Sequence, residues 1–134
     1  MRSTILFVDD EPDLAATCAR LLKRGGWRVE TAGTRAAGIE ATAHQPALAI
    51  VDRQLPDGDG VDVLRAALSA GTPVIMISAH DWPGTRRLAL DEGAAAFLGK
   101  PFSTGELLEL VRAILGEPRN GAACASPPPP GRPG

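Results

Sequence analysis

The sequence predicts an α/β fold: an open, doubly wound parallel sheet with helices on both faces. Short, uninterrupted apolar runs recur along the chain, as in strands that are buried on both faces. Segments with helical periodicity separate these runs, and such alternation implies right-handed βα crossovers. With 134 residues, of which 44% are hydrophobic, the chain has the size and composition of one globular domain.

Five strands are predicted, in order along the chain. Thr4–Val8, 48–51 and 73–78 are continuous apolar runs, which indicates strands at the centre of the sheet. The segment 27–32 alternates between apolar and polar residues, as an edge strand does, and 94–100 is a weaker fifth run. The pattern therefore predicts a repeated βα unit, (βα)₅.

Apolar residues at helical spacing mark the segments between the strands. The segment 34–43 has only a thin stripe, and 83–92 starts at a proline suited to a first helical turn and stops before Gly93. The stripes of the first, third and last helices are Leu14, Cys18, Leu21 and Leu22; Val61, Leu64 and Leu68; and Leu107, Val111 and Ile114.

The composition changes sharply at Gly116. Residues 1–116 are predicted to form the folded domain, whereas 117–134 are dominated by Pro, Gly and Ala and are predicted to be a disordered tail.

Charge and hydropathy exclude two classes of partner. The net charge of −2 gives no basic surface for nucleic acid. No segment approaches the roughly 20 apolar residues of a membrane span, so a soluble, cytoplasmic protein is expected. Cys18 and Cys124 are expected to be unpaired, reduced thiols.

Polar residues stand at the carboxyl ends of four predicted strands: Asp9 and Asp10, Asp52, Ser78 and Lys100. Ligands of open parallel sheets bind at that edge. Three neighbouring carboxylates repel one another unless a cation neutralises them, and hard oxygen ligands suit Mg²⁺. A carboxylate beside Mg²⁺, an ammonium and a hydroxyl can attack an activated phosphoryl group.

Four segments carry a resemblance to a known family: DDEP (9–12), VDRQLPDGDG (51–60), ISA (77–79) and FLGKPF (97–102). In this order the chain resembles the receiver domain of response regulators, of the single-domain type. The resemblance implies a flavodoxin-like three-layer sandwich with sheet order 2-1-3-4-5. It also implies a phospho-accepting switch of two-component signalling rather than an enzyme, with only self-catalysed phosphoryl transfer and autodephosphorylation.

The resemblance implies a role for each site residue. Asp52 would accept the phosphoryl group. Asp10 would bind Mg²⁺ directly, Asp9 mostly through water, and Gln54 through its backbone carbonyl. Lys100 would bind a phosphoryl oxygen and pair with Asp52 at rest.

The same resemblance implies a switch. Ser78 would move to a second phosphoryl oxygen, Ala79 would donate its backbone N–H, and Phe97 would turn inward. The Lys100–Pro101 bond is expected to be cis. The fourth helix, fifth strand and fifth helix (α4-β5-α5) would then bind a protein target or a second copy. The expected phosphoryl donor is a sensor histidine kinase or a histidine phosphotransfer protein. Three interpretations stay open: a shuttle in a phosphorelay, a diffusing regulator of a protein target, or a fragment cut inside a proline-rich linker.

Nearby residues have plainer interpretations. Asp57 and Asp59 are predicted to be helix caps or turn formers, and His80 an exposed loop residue. Trp82 is either a partner contact or packed locally. Two rivals remain: an interaction-only module of the same fold, which would lack some of the pocket residues, and an aspartyl-nucleophile hydrolase, which would need a second Asp at the position of Gln54.

Overall fold

Five parallel strands form the central layer of the computed structural model, which describes residues 3–80 and 82–116. The labels below count only the strands of this sheet. The strands are β1 (Thr4–Val8), β2 (Arg28–Ala32), β3 (Leu48–Asp52), β4 (Val74–Ser78) and β5 (Ala96–Gly99). Their order is β2-β1-β3-β4-β5, as predicted. Chain order reverses between β1 and β3, and this is the switch point at which such sheets bind ligands.

The pairing register aligns the carboxyl ends of the strands. In β1, Val8 pairs with Ala32 on one side and with Val51 on the other. The end of β3, Asp52, pairs with Ile77 of β4. Because the strands are parallel and their carboxyl ends are in register, the polar residues that end or follow them lie along one edge of the sheet.

Five helices cover the two faces of the sheet. They are α1 (Pro12–Arg24), α2 (Arg35–Ala41), α3 (Val61–Ser69), α4 (Pro83–Asp91) and α5 (Thr104–Leu115), with a 3₁₀ turn, Thr42–His44, after α2. Successive residues of a strand point to opposite faces. Leu6 of β1 therefore belongs to the core under α2, α3 and α4, whereas Phe7 belongs to the core under α1 and α5.

The predicted stripe of α3 is wrong at one residue. Leu68 is 37% exposed, whereas Val63 and Ala67 are completely buried beside Leu64. The helix therefore turns a different face to the sheet, and Leu68 lies at its margin beside the loop at Gly93. A helical stripe can be drawn through either set of residues, and only packing against the strands chooses between them.

Several predicted ends differ from the observed ones by one or two residues. Trp27 precedes β2 rather than opening it, and its backbone N–H donates to the carbonyl of Leu22 at 3.2 Å. Thr34 caps α2 instead of belonging to it, since its Oγ1 accepts the Ala37 N–H at 3.0 Å. The predicted turn around Asp57 and Asp59 lies in a two-stranded hairpin of Gln54–Leu55 and Gly58–Asp59, which was not predicted.

The thiol of Cys18 is buried in the core and unpaired, as predicted. Burial, reinforced by the nearby carboxylate of Asp9, raises its pKa to about 11. Cys124 and the predicted tail, 117–134, lie outside the described residues, so the domain boundary at 116 stays a prediction. None of the helices within 3–80 and 82–116 has the length and apolarity needed to cross a bilayer.

Candidate functional site

An acidic pair follows β1 directly. Asp9 remains in the sheet, because its backbone N–H donates to the Ala32 carbonyl at 3.0 Å. Its side chain is buried, and Oδ1 accepts the Glu11 N–H at 2.8 Å. The second oxygen, Oδ2, is buried; among the described residues it makes an ion pair with the Lys100 ammonium at 2.9 Å but no hydrogen bond of good geometry. Asp10 is exposed beside it.

A lysine and an aspartate face each other across the edge of the sheet. Asp52 ends β3 and is buried, with Oδ1 accepting the Gln54 N–H at 3.2 Å. Its Oδ2 accepts a hydrogen bond from Nζ of Lys100 at 3.0 Å. Lys100 follows β5, and its backbone N–H donates to the backbone carbonyl of Ser78 at 2.8 Å. The Lys100–Pro101 bond is cis, as predicted.

The Lys100 ammonium is shared among carboxylates. Its Nζ lies 2.9 Å from Asp9 Oδ2 and 2.6 Å from Glu11 Oε1, in addition to Asp52. Burial alone would lower the pKa of Lys100, but these carboxylates together raise it above its ordinary value. Burial raises the pKa of Asp52, an effect that Lys100 only partly offsets. One ammonium therefore does not fully compensate the buried negative charge.

The donor set fits a hard divalent cation. One carboxylate oxygen from each of Asp9, Asp10 and Asp52 lies within 4.8 Å of the others. The buried Oδ2 of Asp9 makes an ion pair with Lys100 at 2.9 Å but no hydrogen bond of good geometry, so a cation could take it as a ligand. Oxygen ligands with exposed positions for water are the environment that Mg²⁺ prefers. The backbone carbonyl of Gln54 stays a predicted fourth ligand.

Ser78 is close to this site but bonded elsewhere. It ends β4 and is completely buried. Its Oγ donates to Oε1 of Gln54 at 2.9 Å and accepts the His80 N–H at 3.0 Å. His80 itself is an exposed loop residue, as predicted. Trp82 packs locally on the His80 ring, with ring centroids 5.1 Å apart, and is 65% exposed; its contact with a partner stays a prediction.

Phe97 lies in β5 and is only 6% exposed. The guanidinium carbon of Arg86 in α4 sits 4.9 Å from the centre of its ring, within the range of a cation–π contact. Little ring surface is left to bury while Ser78 is bonded to Gln54. The predicted inward turn of Phe97 would therefore bury little additional ring surface, and the movement stays a prediction.

Sequence analysis missed the part played by Glu11. Its carboxylate makes the shortest contact of Lys100, and the only sequence feature that could have indicated this was its position directly after the acidic pair.

Asp57 caps a helix other than the one that follows it: its carboxylate accepts the N–H groups of Arg35 at 2.6 Å and Ala36 at 3.0 Å in α2. Asp59 forms the predicted turn, accepting the Val61 N–H at 2.9 Å.

Comparison with known proteins decides the family. The sequence profile of the response regulator receiver domain matches residues 5–112. The chain belongs to this family. The KDP operon transcriptional regulatory protein KdpE of Escherichia coli is 36% identical to this receiver domain over 129 residues, which are 95% of this chain and 56% of KdpE. The KdpE of Mycobacterium tuberculosis is 39% identical over 115 residues, which are 83% of this chain and 50% of that protein. This receiver domain thus spans about half the length of the curated relatives it matches.

Solved structures confirm the predicted fold. A CheY-like response regulator receiver domain protein from Methanospirillum hungatei superposes with a TM-score of 0.78 at 29% identity, covering 84% of this chain and 93% of that one. The BeF3-activated N-terminal receiver domain of Klebsiella pneumoniae RstA gives a TM-score of 0.76 at 25% identity, covering 83% and 97%. The chain is therefore a response regulator receiver domain with the flavodoxin-like topology.

Proposed function

We propose that this receiver domain is a Mg²⁺-dependent switch in a two-component system and that Asp52 is its phosphoryl acceptor. The contact that supports this most strongly joins Lys100 Nζ to Asp52 Oδ2 at 3.0 Å, beside the cluster of Asp9, Asp10 and Asp52. The cluster concentrates negative charge, and Asp52 is the buried member that ends the central strand β3, whereas Asp9, also buried, follows β1.

The reaction follows from these atoms. A carboxylate oxygen of Asp52 attacks the phosphorus of a phosphohistidine, the P–N bond breaks, and the released imidazole nitrogen keeps the bonding electrons and takes a proton from water. Lys100 donates a hydrogen bond to a phosphoryl oxygen and so offsets part of its negative charge. The phosphohistidine would belong to a sensor histidine kinase or a histidine phosphotransfer protein.

Asp9, Asp10, Asp52 and the Gln54 carbonyl would hold Mg²⁺. The bound ion would neutralise charge shared between the carboxylates and the phosphoryl oxygens. The protein residues supply the rest: Asp52 the attacking oxygen, Lys100 and Ser78 the hydrogen-bond donors, and the Ala79 backbone a further N–H. With no acid or base at position 54, hydrolysis would be limited to autodephosphorylation.

Phosphorylation would be read out through one face of the domain. Ser78 would exchange Gln54 for a phosphoryl oxygen, and Phe97 in β5 would repack against α4. The face formed by α4, β5 and α5 would then bind a protein target or a second copy in the cytoplasm. Direct binding to nucleic acid or to a membrane is not expected, because a net charge of −2 gives no electrostatic attraction to either of these negatively charged partners.

Phosphorylation by acetyl phosphate across a Mg²⁺ titration tests this function. We expect labelling that rises with Mg²⁺ and disappears with a chelator, as the charge of the cluster requires. An interaction-only module would remain unlabelled at every Mg²⁺ concentration, and that result would overturn the proposal.

A further inference from the structure

We propose that Glu11 is a positioning residue that holds the Lys100 ammonium at rest and competes with an incoming phosphoryl group for it. The inference rests on the function proposed above. It adds a residue that restrains the reaction, where the acceptor and the metal site only promote it.

The distances single out Glu11 among the carboxylates around Lys100. Nζ lies 2.6 Å from Glu11 Oε1, 2.9 Å from Asp9 Oδ2 and 3.0 Å from Asp52 Oδ2. A lysine ammonium has three N–H donors. Two of them are hydrogen-bonded, one to Glu11 and one to Asp52, and Asp9 Oδ2 lies within 2.9 Å of the same nitrogen. Three carboxylates thus surround the ammonium, and turning a donor fully toward a phosphoryl oxygen draws it away from at least one of them.

The Glu11 contact is the one that Mg²⁺ does not replace. Asp9 and Asp52 belong to the cluster whose oxygens converge within 4.8 Å, and Glu11 does not. A cation in that cluster would take over charge that Lys100 now neutralises on Asp9 and Asp52. The pair with Glu11 would persist and would keep the ammonium turned toward it.

Glu11 also stands where a donor must approach. Its side chain is 60% exposed, compared with 13% for Lys100 and 4% for Asp52, so the three groups run from solvent into the pocket. The Glu11 backbone is fixed, since its N–H donates to Asp9 Oδ1 and its carbonyl accepts the Ala15 N–H at 3.0 Å. Its side chain makes no capping bond to α1 and is free to hold the lysine.

The test compares three variants in the acetyl phosphate reaction at saturating Mg²⁺. Glu11→Gln removes the charge, and Glu11→Asp keeps the charge but shortens the side chain by one methylene. Asp13→Asn removes an exposed charge from the first turn of the same helix. If Glu11 acts through Lys100, both Glu11 variants should react faster than wild type by about 1.5- to five-fold, the range expected for a partly exposed ion pair. Asp13→Asn should match wild type.

Each possible result either supports or overturns the positioning role of Glu11. If Glu11→Gln is no faster than Asp13→Asn, Glu11 does not restrain the lysine. If Glu11→Gln is faster but Glu11→Asp equals wild type, the effect is general charge repulsion and the positioning role is wrong. Unlabelled wild-type protein would instead overturn the function proposed above. Circular dichroism melts of all three variants confirm that the folded state is being compared.

Discussion

The hydroxyl of Ser78 donates to Oε1 of Gln54 at 2.9 Å. The same Oγ accepts the backbone N–H of His80 at 3.0 Å, so the only O–H donor of Ser78 is committed to Gln54. Any movement of Ser78 toward a phosphoryl group on Asp52 must first break the bond to Gln54. The resting state is therefore stabilised by a side chain that follows the acceptor by two positions.

Replacing Gln54 with Leu should favour the activated state. The backbone carbonyl is retained, but the buried hydroxyl of Ser78 loses its acceptor, which destabilises the resting arrangement by about 1 kcal/mol. Beryllofluoride, an analogue of the phosphoryl group, should then bind about five-fold more tightly in a fluorescence or NMR titration. In a Ser78→Ala background the same substitution should have no effect; an equal gain there would show that the bond to Ser78 is not its cause.

Activation should reach beyond the pocket. If Ser78 and Phe97 move together, beryllofluoride with Mg²⁺ should shift the amide NMR signals of Phe97 and of residues in α4 and α5. A close-packed interior favours discrete arrangements, so two sets of signals in slow or intermediate exchange are expected. Shifts confined to the neighbours of Asp52, with α5 unchanged, would contradict this coupling.

Magnesium should stabilise the fold by mass action. At a concentration tenfold above its dissociation constant, a ligand that binds only the native state adds about 1.4 kcal/mol to the free energy of unfolding. Thermal melts with chelator and with millimolar Mg²⁺ should therefore differ by several degrees. Asp10→Asn should reduce this difference, whereas Asp13→Asn should leave it intact. Identical melts of the wild-type protein in both conditions would argue against the metal site.

Asp52 should cost stability in the metal-free protein. Burial raises its pKa in the folded state, so its contribution to stability is fully present below the unfolded-state pKa and is lost as the pH rises through the folded-state pKa. In chelator at pH 7, Asp52→Asn should melt a few degrees above wild type, and the gain should shrink toward pH 4. A melting temperature below that of wild type at pH 7 would mean that the bond to Lys100 outweighs the burial.

The doubly wound parallel sheet was predictable because each central strand is an unbroken apolar run between helical segments, whereas the strand order followed from the resemblance to receiver domains. Such runs indicate strands in the middle of a covered parallel sheet, and the carboxyl ends of these strands form the edge at which Asp9, Asp52 and Lys100 meet. The choice of Leu68 for the face of α3 failed because helical periodicity alone does not say which of two overlapping stripes packs on the strands.

Two contacts of the site could not be read from the sequence. Whether Glu11 reaches Lys100 depends on the backbone conformation between β1 and α1, which the local sequence pattern does not predict. The bond between Gln54 and Ser78 depends on the hairpin directly after Asp52, which the sequence presents only as a loop. Strand ends are fixed by the sheet, whereas these side chains are placed by loop geometry.

The most direct test of the central claim is to locate the phosphoryl group after reaction with acetyl phosphate and Mg²⁺. Intact-mass spectrometry should find one phosphoryl group on the wild-type chain, and peptide mapping should assign it to Asp52. Asp52→Asn should carry none under the same conditions, while its unchanged circular dichroism spectrum confirms that it is folded. A phosphoryl group on Asp52→Asn at the wild-type level, or mapped to a different residue of the wild-type chain, would contradict the assignment of the acceptor.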